Sequence, residues 1–516
     1  MKKILVWILF LLPVLAQPQV VRLRLPGGWV EGVSQNEVIS FKGITYAHAD
    51  RWQEPQLVNN WPGVLRAYDY GPICPQSGDV TVFLGRLLNP AYVLAASEDC
   101  LNLNVWVPAA EPPPGGWPVM VFVHGGSFTG GSGSEPIYNG SSLARQGAVV
   151  VTINYRLGIF GFLALPALAA KDPHGSTGNY GLLDQLAAFR WVRKQISGFG
   201  GNPDNITAFG ESAGAMSLCT LLTSPLAKGA FDRVVLESGG CNYALSKKEA
   251  FAQAKKIAKK IGCSSDDLAC WQGKSMDDLM NLGLGMETDF EKDLFKPVLD
   301  GYVLEEAPEQ VLAAGGGLHL PMIVGANADE YRLDLVAVAD YKKFTWKGFE
   351  RLVAEKEGER TEKVLAHYKK RFKYALSAYY AYMTERILLC PTYRAGYLAK
   401  RSSPVYGYVF EYKSPYWESS LRSAHGMEMP FIFDTRRVWP FWVLFMTETE
   451  LERTDGLVSA MQKAWIRFAR GEEPRIGMAP LPRLGSGWLM GIDLRWGWRP
   501  DFWNDRCQLW GADQYQ

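Results

Sequence analysis

The run Gly200-Gly201-Asn202-Pro203-Asp204-Asn205-Ile206-Thr207-Ala208-Phe209-Gly210-Glu211-Ser212-Ala213-Gly214-Ala215 joins a strand to a helix with almost no turn between them. Ile206 to Phe209 is a short apolar run that reads as a buried strand. It stops at Gly-x-Ser-x-Gly, and Ala213 to Leu222 continues in good helix formers. So abrupt a change of direction holds Ser212 in strained backbone geometry. Gly210 and Gly214 carry no Cβ, so strand and helix can close tightly around it. The hydroxyl is then exposed at the tip of a sheet, above a helix N-terminus that favours developing negative charge. That is the geometry of a nucleophile. The same residues also fit a glycine-rich turn whose serine only caps the helix, so the choice falls to its partners elsewhere in the chain.

The bulk composition narrows the classes. The 516 residues could hold three average domains, but a single sheet that grows by insertion accommodates the same length. Hydrophobic residues make up 47% and charged ones 21%, as in a soluble protein with a large core. Lysine plus arginine (54) nearly balances aspartate plus glutamate (53), with no basic patch, which argues against a nucleic-acid partner. Lys2 and Lys3 precede an apolar run from Ile4 to Leu15 and a small residue, Ala16. That run is shorter than the roughly 20 residues a membrane span needs. Residues 1–16 read as a secretory signal peptide, leaving 17–516 as one domain with no membrane span, secreted or periplasmic.

Export makes the eight cysteines disulfide candidates. Proximity favours Cys263 with Cys270 and Cys74 with Cys100. Cys219, on the helix after the serine, and Cys241, just after a strand, read as small buried hydrophobes. No Cys/His cluster has zinc spacing, and no cofactor is expected.

Along the chain, Val20 to Phe41 shows short alternating runs broken by glycines, the pattern of small antiparallel strands. Leu101 to Val107 alternates and reads as a half-buried strand. Val119 to Val123 and Ala148 to Ile153 are continuous apolar runs, as expected of strands covered on both faces. Leu182 to Ile196 has helical spacing; Val234-Val235-Leu236, Met322-Ile323-Val324 and Val405 to Phe410 add further strands. The alternation implies an α/β fold: a large, mostly parallel sheet with antiparallel N-terminal edge strands. Residues 247–293 and 341–398 read as helical insertions over the strand carboxyl ends. The apolar run Trp439 to Phe445 is core or cleft wall, or else a lid.

An activated serine needs a base in reach and an acid to orient it, and in sheets of this kind acid and then histidine follow the serine. His367 lies in a helical, lysine-flanked context, whereas His425, in Ser423-Ala424-His425-Gly426, follows a strand in an irregular segment. Catalytic loops belong there, so His425 is the candidate base. Met322-Ile323-Val324 runs into Gly325-Ala326-Asn327-Ala328-Asp329-Glu330, and either Asp329 or Glu330 sits at a strand's carboxyl end. Val123-His124-Gly125-Gly126-Ser127 follows a buried strand, and its glycines let amides point at a ligand. Gly125, Gly126 and Ala213 would supply three donors to an oxyanion.

With those segments in view, the chain resembles the type-B carboxylesterase/lipase family, which includes the cholinesterases. Phe199 to Pro203 with Gly210-Glu211-Ser212-Ala213-Gly214 is similar to the family's active-serine signature, and Glu98-Asp99-Cys100-Leu101 through Pro108 to its second. Asn154 to Gly158 and Gly178 to Gln185 also match. The resemblance implies an α/β-hydrolase fold and a Ser212–Glu330–His425 triad, with Gly125, Gly126 and Ala213 as oxyanion hole. It implies that Ser238 supports the triad acid and that Cys390 pairs with Cys507. Cholinesterases carry a choline-binding Trp between the first two cysteines; Pro75 to Asp99 has none, so a general carboxylesterase is expected. A lipase activated at an interface and a non-catalytic, adhesion-type relative are the rival expectations. Activity should fall on acidification, near pH about 6.5 for an unperturbed His425.

Overall fold

The computed structural model describes residues 18–76, 94–282, 295–332, 344–413, 415, 421–438 and 446–511. The expected signal peptide, the Trp439 to Phe445 run and most of the loop between Cys74 and Cys100 lie outside the described residues.

The chain opens with β1 (Gln19–Leu25), β2 (Gly28–Gln35) and β3 (Val38–Thr45), antiparallel neighbours in sequence order. Then come β4 (Asn102–Pro108), β5 (Trp117–Val123) and β6 (Val149–Ile153). The helix α1 (Tyr180–Gln195) leads to β7 (Gly201–Glu211), α2 (Ala213–Leu221) and β8 (Arg233–Glu237). After α3 (Lys247–Ile261) and β9 (Met322–Asn327), helices recur as α4 (Trp346–Glu357), α5 (Thr361–Arg371), α6 (Ala375–Met383) and α7 (Cys390–Ala399). β10 (Val405–Phe410), the long α8 (Glu448–Ala469), β11 (Trp488–Ile492) and β12 (Gly497–Pro500) complete the fold.

These strands form one 13-stranded sheet in the order β1-β2-β3-β4-β6-β5-β7-β8-β9-β10-β11-β12, with the short strand Val64–Arg66 beside β2. Every pairing from β6 to β11 is parallel. Successive residues of β5 explain why these runs are apolar without alternation. Val119, Val121 and Val123 join a core with Leu186 and Phe189 of α1, while Met120 and Phe122 join a second with Met461 and Trp465 of α8. Both faces are covered, so both must be apolar.

The same layering corrects the reading of β4 as half-buried: all seven of its residues are buried. Leu103, Val105 and Val107 enter one core and Trp106 the other. The alternate polar residues are buried because they are satisfied. Asn104 accepts from the Gly43 amide at 3.0 Å and donates to Thr152 Oγ1 at 3.1 Å.

Candidate active site

In this strand order β5, from which the chain goes first to β6 on one side and then to β7 on the other, is the topological switch point. The carboxyl ends of β5, β7, β8 and β9 therefore stand side by side. Ser212 leaves β7 with φ 55° and ψ −125°, a left-handed conformation that a residue with a side chain adopts at a cost. Its amide donates to the carbonyl of Glu237 at 2.9 Å. The glycine after it is a steric requirement: a Cβ on Gly214 would lie 1.9 Å from the carbonyl oxygen of Val123.

β8 ends the same way. Glu211 and Glu237 are partners in register, and Ser238 follows at φ 56° with its amide donating to the carbonyl of Gly325 at 2.8 Å. The Ser238 hydroxyl donates to Glu330 Oε1 at 2.6 Å, and the amide of Asn327 donates to the same oxygen at 2.7 Å. Glu330 Oε2 lies 2.7 Å from His425 Nδ1. The structure thus brings Glu330, not Asp329, to the imidazole; Asp329 faces Arg422 at 3.2 Å. His367 lies on α5 against Arg371. The other imidazole nitrogen, His425 Nε2, is 3.1 Å from Glu211 Oε1. A Cβ on Gly125 would fall 2.8 Å from Glu211 Oε2 and 2.8 Å from Ser212 Cβ, so the glycine loop, the serine and the Glu211–His425 contact occupy one small region.

That loop starts where β5 stops. His124 is buried, and burial lowers its pKa to about 4, so the ring is neutral and Nδ1 donates to the Gly125 carbonyl at 2.8 Å. Its ring stacks on Tyr155, whose hydroxyl donates to the His124 carbonyl at 2.9 Å. Gly126 has φ +102°, and a Cβ there would meet the Gly130 carbonyl oxygen at 2.3 Å. Ala213 opens α2, so its N–H is among the four that a helix leaves without an internal acceptor.

Apart from Glu330, sequence reasoning missed the acids around the imidazole. Glu211, Glu237, Glu330 and Glu428 are all buried. Burial raises Glu211 to about 7, against the pull of His425. Burial and then the charges of Glu211 and Glu330 raise Glu428 to about 8. Burial and Glu428 hold Glu237 well above the carboxylate range. For His425 burial disfavours the cation, but the charges of Glu211 and Glu330 outweigh burial and raise its pKa. The only sequence signal for two of these acids was their place, each immediately before a serine at a strand end.

Cys74 is bonded to Cys100, Cys263 to Cys270 and Cys390 to Cys507. The reading of Cys219 and Cys241 as unpaired hydrophobes is corrected: they form a fourth disulfide. Both are buried, but α2 and the segment after β8 also run close enough to bring their Cα atoms within 5.1 Å. A Cβ on Gly239 would lie 2.7 Å from that of Ala215, which shows how tight the contact is.

A doubly covered, mostly parallel sheet with a strained serine between strand and helix is the α/β-hydrolase fold. A carboxylesterase of Geobacillus stearothermophilus superimposes with a TM-score of 0.81 at 30% identity, covering 94% of this chain and 99% of its own. The para-nitrobenzyl esterase of Bacillus subtilis (strain 168) is 35% identical over 466 residues, 87% of this chain and 89% of that protein. The liver carboxylesterase of Sus scrofa is 40% identical over 332 residues, 60% of this chain and 57% of that protein. Residues 17–488 match the carboxylesterase family, and the chain belongs to it. Its chemistry is that of a carboxylic ester hydrolase.

Proposed function

We propose that the protein is a secreted serine carboxylesterase acting on uncharged carboxylic esters through an acyl-enzyme on Ser212. The observation that carries the reading is the His425–Glu330 contact at 2.7 Å, set beside a buried serine at positive φ. Ser212 Oγ adds to the ester carbonyl carbon while Nε2 of His425 in its neutral form takes the hydroxyl proton. The proton passes to the leaving alkoxide as the C–O bond breaks, giving the alcohol and the acyl-enzyme. Water then attacks the acyl carbon by the same proton route, releasing the acid and restoring the hydroxyl. Glu330 holds Nδ1–H and stabilises the imidazolium, and Ser238 steadies Glu330. The amides of Gly125, Gly126 and Ala213 are the donors for the tetrahedral oxygen, each worth roughly 10²–10³ in rate.

Secretion is supported by the Lys2-Lys3 and Ile4–Leu15 pattern and by four disulfides. No helix among the described residues is long and apolar enough to cross a membrane. A fluorophosphonate should label the wild type and fail on Ser212→Ala, which should also lose para-nitrophenyl ester hydrolysis. Full activity in Ser212→Ala defeats the reading. A chain-length series of aryl esters then defines the acyl preference.

A further inference from the structure

Two segments far apart in the chain must meet for His425 to face Glu330, and one buried side chain bridges them. Asn327 ends β9 and is fully buried. Its backbone amide donates to Glu330 Oε1 at 2.7 Å. Its side-chain Nδ2 donates to the carbonyl of Ala424 at 3.0 Å and to Glu428 Oε2. Ala424 immediately precedes His425 and Glu428 follows it by three residues, so a single amide holds the histidine loop on both sides. Two backbone bonds lace the same segments: His425 N–H to the Glu330 carbonyl at 3.0 Å, and Asp329 N–H to the Ser423 carbonyl at 3.1 Å.

We propose that Asn327, acting through Glu428, is a positioning residue that sets where the imidazole of His425 stands. This rests on the assignment of Ser212, Glu330 and His425 made above. The position matters because Nε2 has two neighbours of different consequence. It must address the Ser212 hydroxyl for attack to occur, yet Glu211 Oε1 stands 3.1 Å away, close enough to draw the same nitrogen though not aligned as a hydrogen bond. A small shift of the loop moves Nε2 between a hydroxyl to be deprotonated and a carboxyl that merely holds a proton. Misplacement of reacting groups by about 1 Å can cost on the order of 10² in rate without weakening binding.

The surroundings of Glu428 mark the contact as more than filler. Glu237, Gly325 and Tyr408 stand in register on the neighbouring strands, and Gly325 lacks a side chain where the Tyr408 ring passes. Glu428 Oε1, Glu237 Oε2, Asn327 Oδ1 and the Tyr408 hydroxyl are all buried without a hydrogen-bond partner among the described residues. The hydrogen bond from Asn327 is what fixes Glu428 among them.

The test is a double-variant cycle on the full-length enzyme with a para-nitrophenyl ester, folding being checked by circular dichroism. Asn327→Ala and Glu428→Leu should each lower kcat about tenfold or more while leaving KM within about threefold. The double variant should be no worse than the poorer single, because both remove the Asn327–Glu428 bond. Glu428→Gln, whose amide oxygen still accepts from Asn327, should recover most of the loss. Losses that multiply in the double variant, a change confined to KM, or equal losses in Glu428→Gln and Glu428→Leu would each overturn the proposal. Should Asn327→Ala fail to fold, the comparison of Glu428→Gln with Glu428→Leu decides it. Ser212→Ala separates the two layers: if it is inactive and unlabelled while Asn327→Ala matches the wild type, only the positioning role falls. If Ser212→Ala stays active, the triad assignment itself fails.

Discussion

Replacing both Cys219 and Cys241 by alanine tests whether the fourth disulfide holds α2 to the segment behind it. A disulfide acts chiefly by restricting the unfolded chain, to an extent that grows with the logarithm of the loop it closes. For the separation of 22 residues between Cys219 and Cys241, that relation gives about 3.4 kcal/mol at 25 °C. The same relation ranks the other three bonds. Separations of 117, 26 and 7 residues give about 4.9 kcal/mol for Cys390–Cys507, about 3.5 for Cys74–Cys100 and about 2.4 for Cys263–Cys270. Four double-alanine variants should therefore lose stability in that order, with Cys219–Cys241 close to Cys74–Cys100. Urea unfolding followed by tryptophan fluorescence supplies the comparison, with midpoints converted through a common slope. A Cys219/Cys241 variant as stable as its parent, or one that loses less than the Cys263/Cys270 variant, refutes the reasoning.

Three further outcomes follow from the site. Ser238→Ala removes a 2.6 Å bond to a buried carboxylate, worth about 1.5–3 kcal/mol, so kcat should fall about 10- to 100-fold with KM little changed in steady-state assays. Glu211→Gln removes the carboxylate that does most to raise His425; the imidazole then loses its proton more readily, and the acid limb of kcat/KM should move to lower pH. An unmoved limb counts against that electrostatic role. Glu237 binds a proton in the folded state that the unfolded chain releases above about pH 4.3, so its contribution is complete below that pH and is lost as pH rises. Glu237→Gln should flatten the decline of the urea midpoint between pH 5 and 8, and an identical decline in both proteins speaks against it.

Much of the sheet was legible because continuous apolar runs such as Val119 to Val123 have few other uses in a protein of this composition. The elbow was legible for a stronger reason: only glycine fits where a Cβ on residue 214 would strike a carbonyl oxygen at 1.9 Å. α8 carried Leu451, Leu457, Val458, Met461, Trp465 and Phe468 at helical spacing but was not read as a helix, and β11 and β12 went unread as strands too short to stand out. β4 looked half-buried because Asn102 and Asn104 mimic solvent-facing positions, and only their hydrogen bonds reveal otherwise. The choice of Glu330 over Asp329 could not come from residue type, since both are acids on the same turn. The Cys219–Cys241 bond, the acid cluster and the Asn327 bridge join segments with no shared local pattern, so no window of sequence contains them.

The matching ends of β7 and β8 have a mechanical consequence. Neighbouring strands lie about 4.8 Å apart, and here each finishes in glutamate then serine with the same backbone bend. Ser212 heads one of these ends, and the Ser238 hydroxyl at the other braces Glu330 behind His425, so the two serines are mounted on adjacent, bonded rails. When thermal breathing slides or tilts that part of the sheet, the two serines travel together, and Ser238 keeps its place against Glu330.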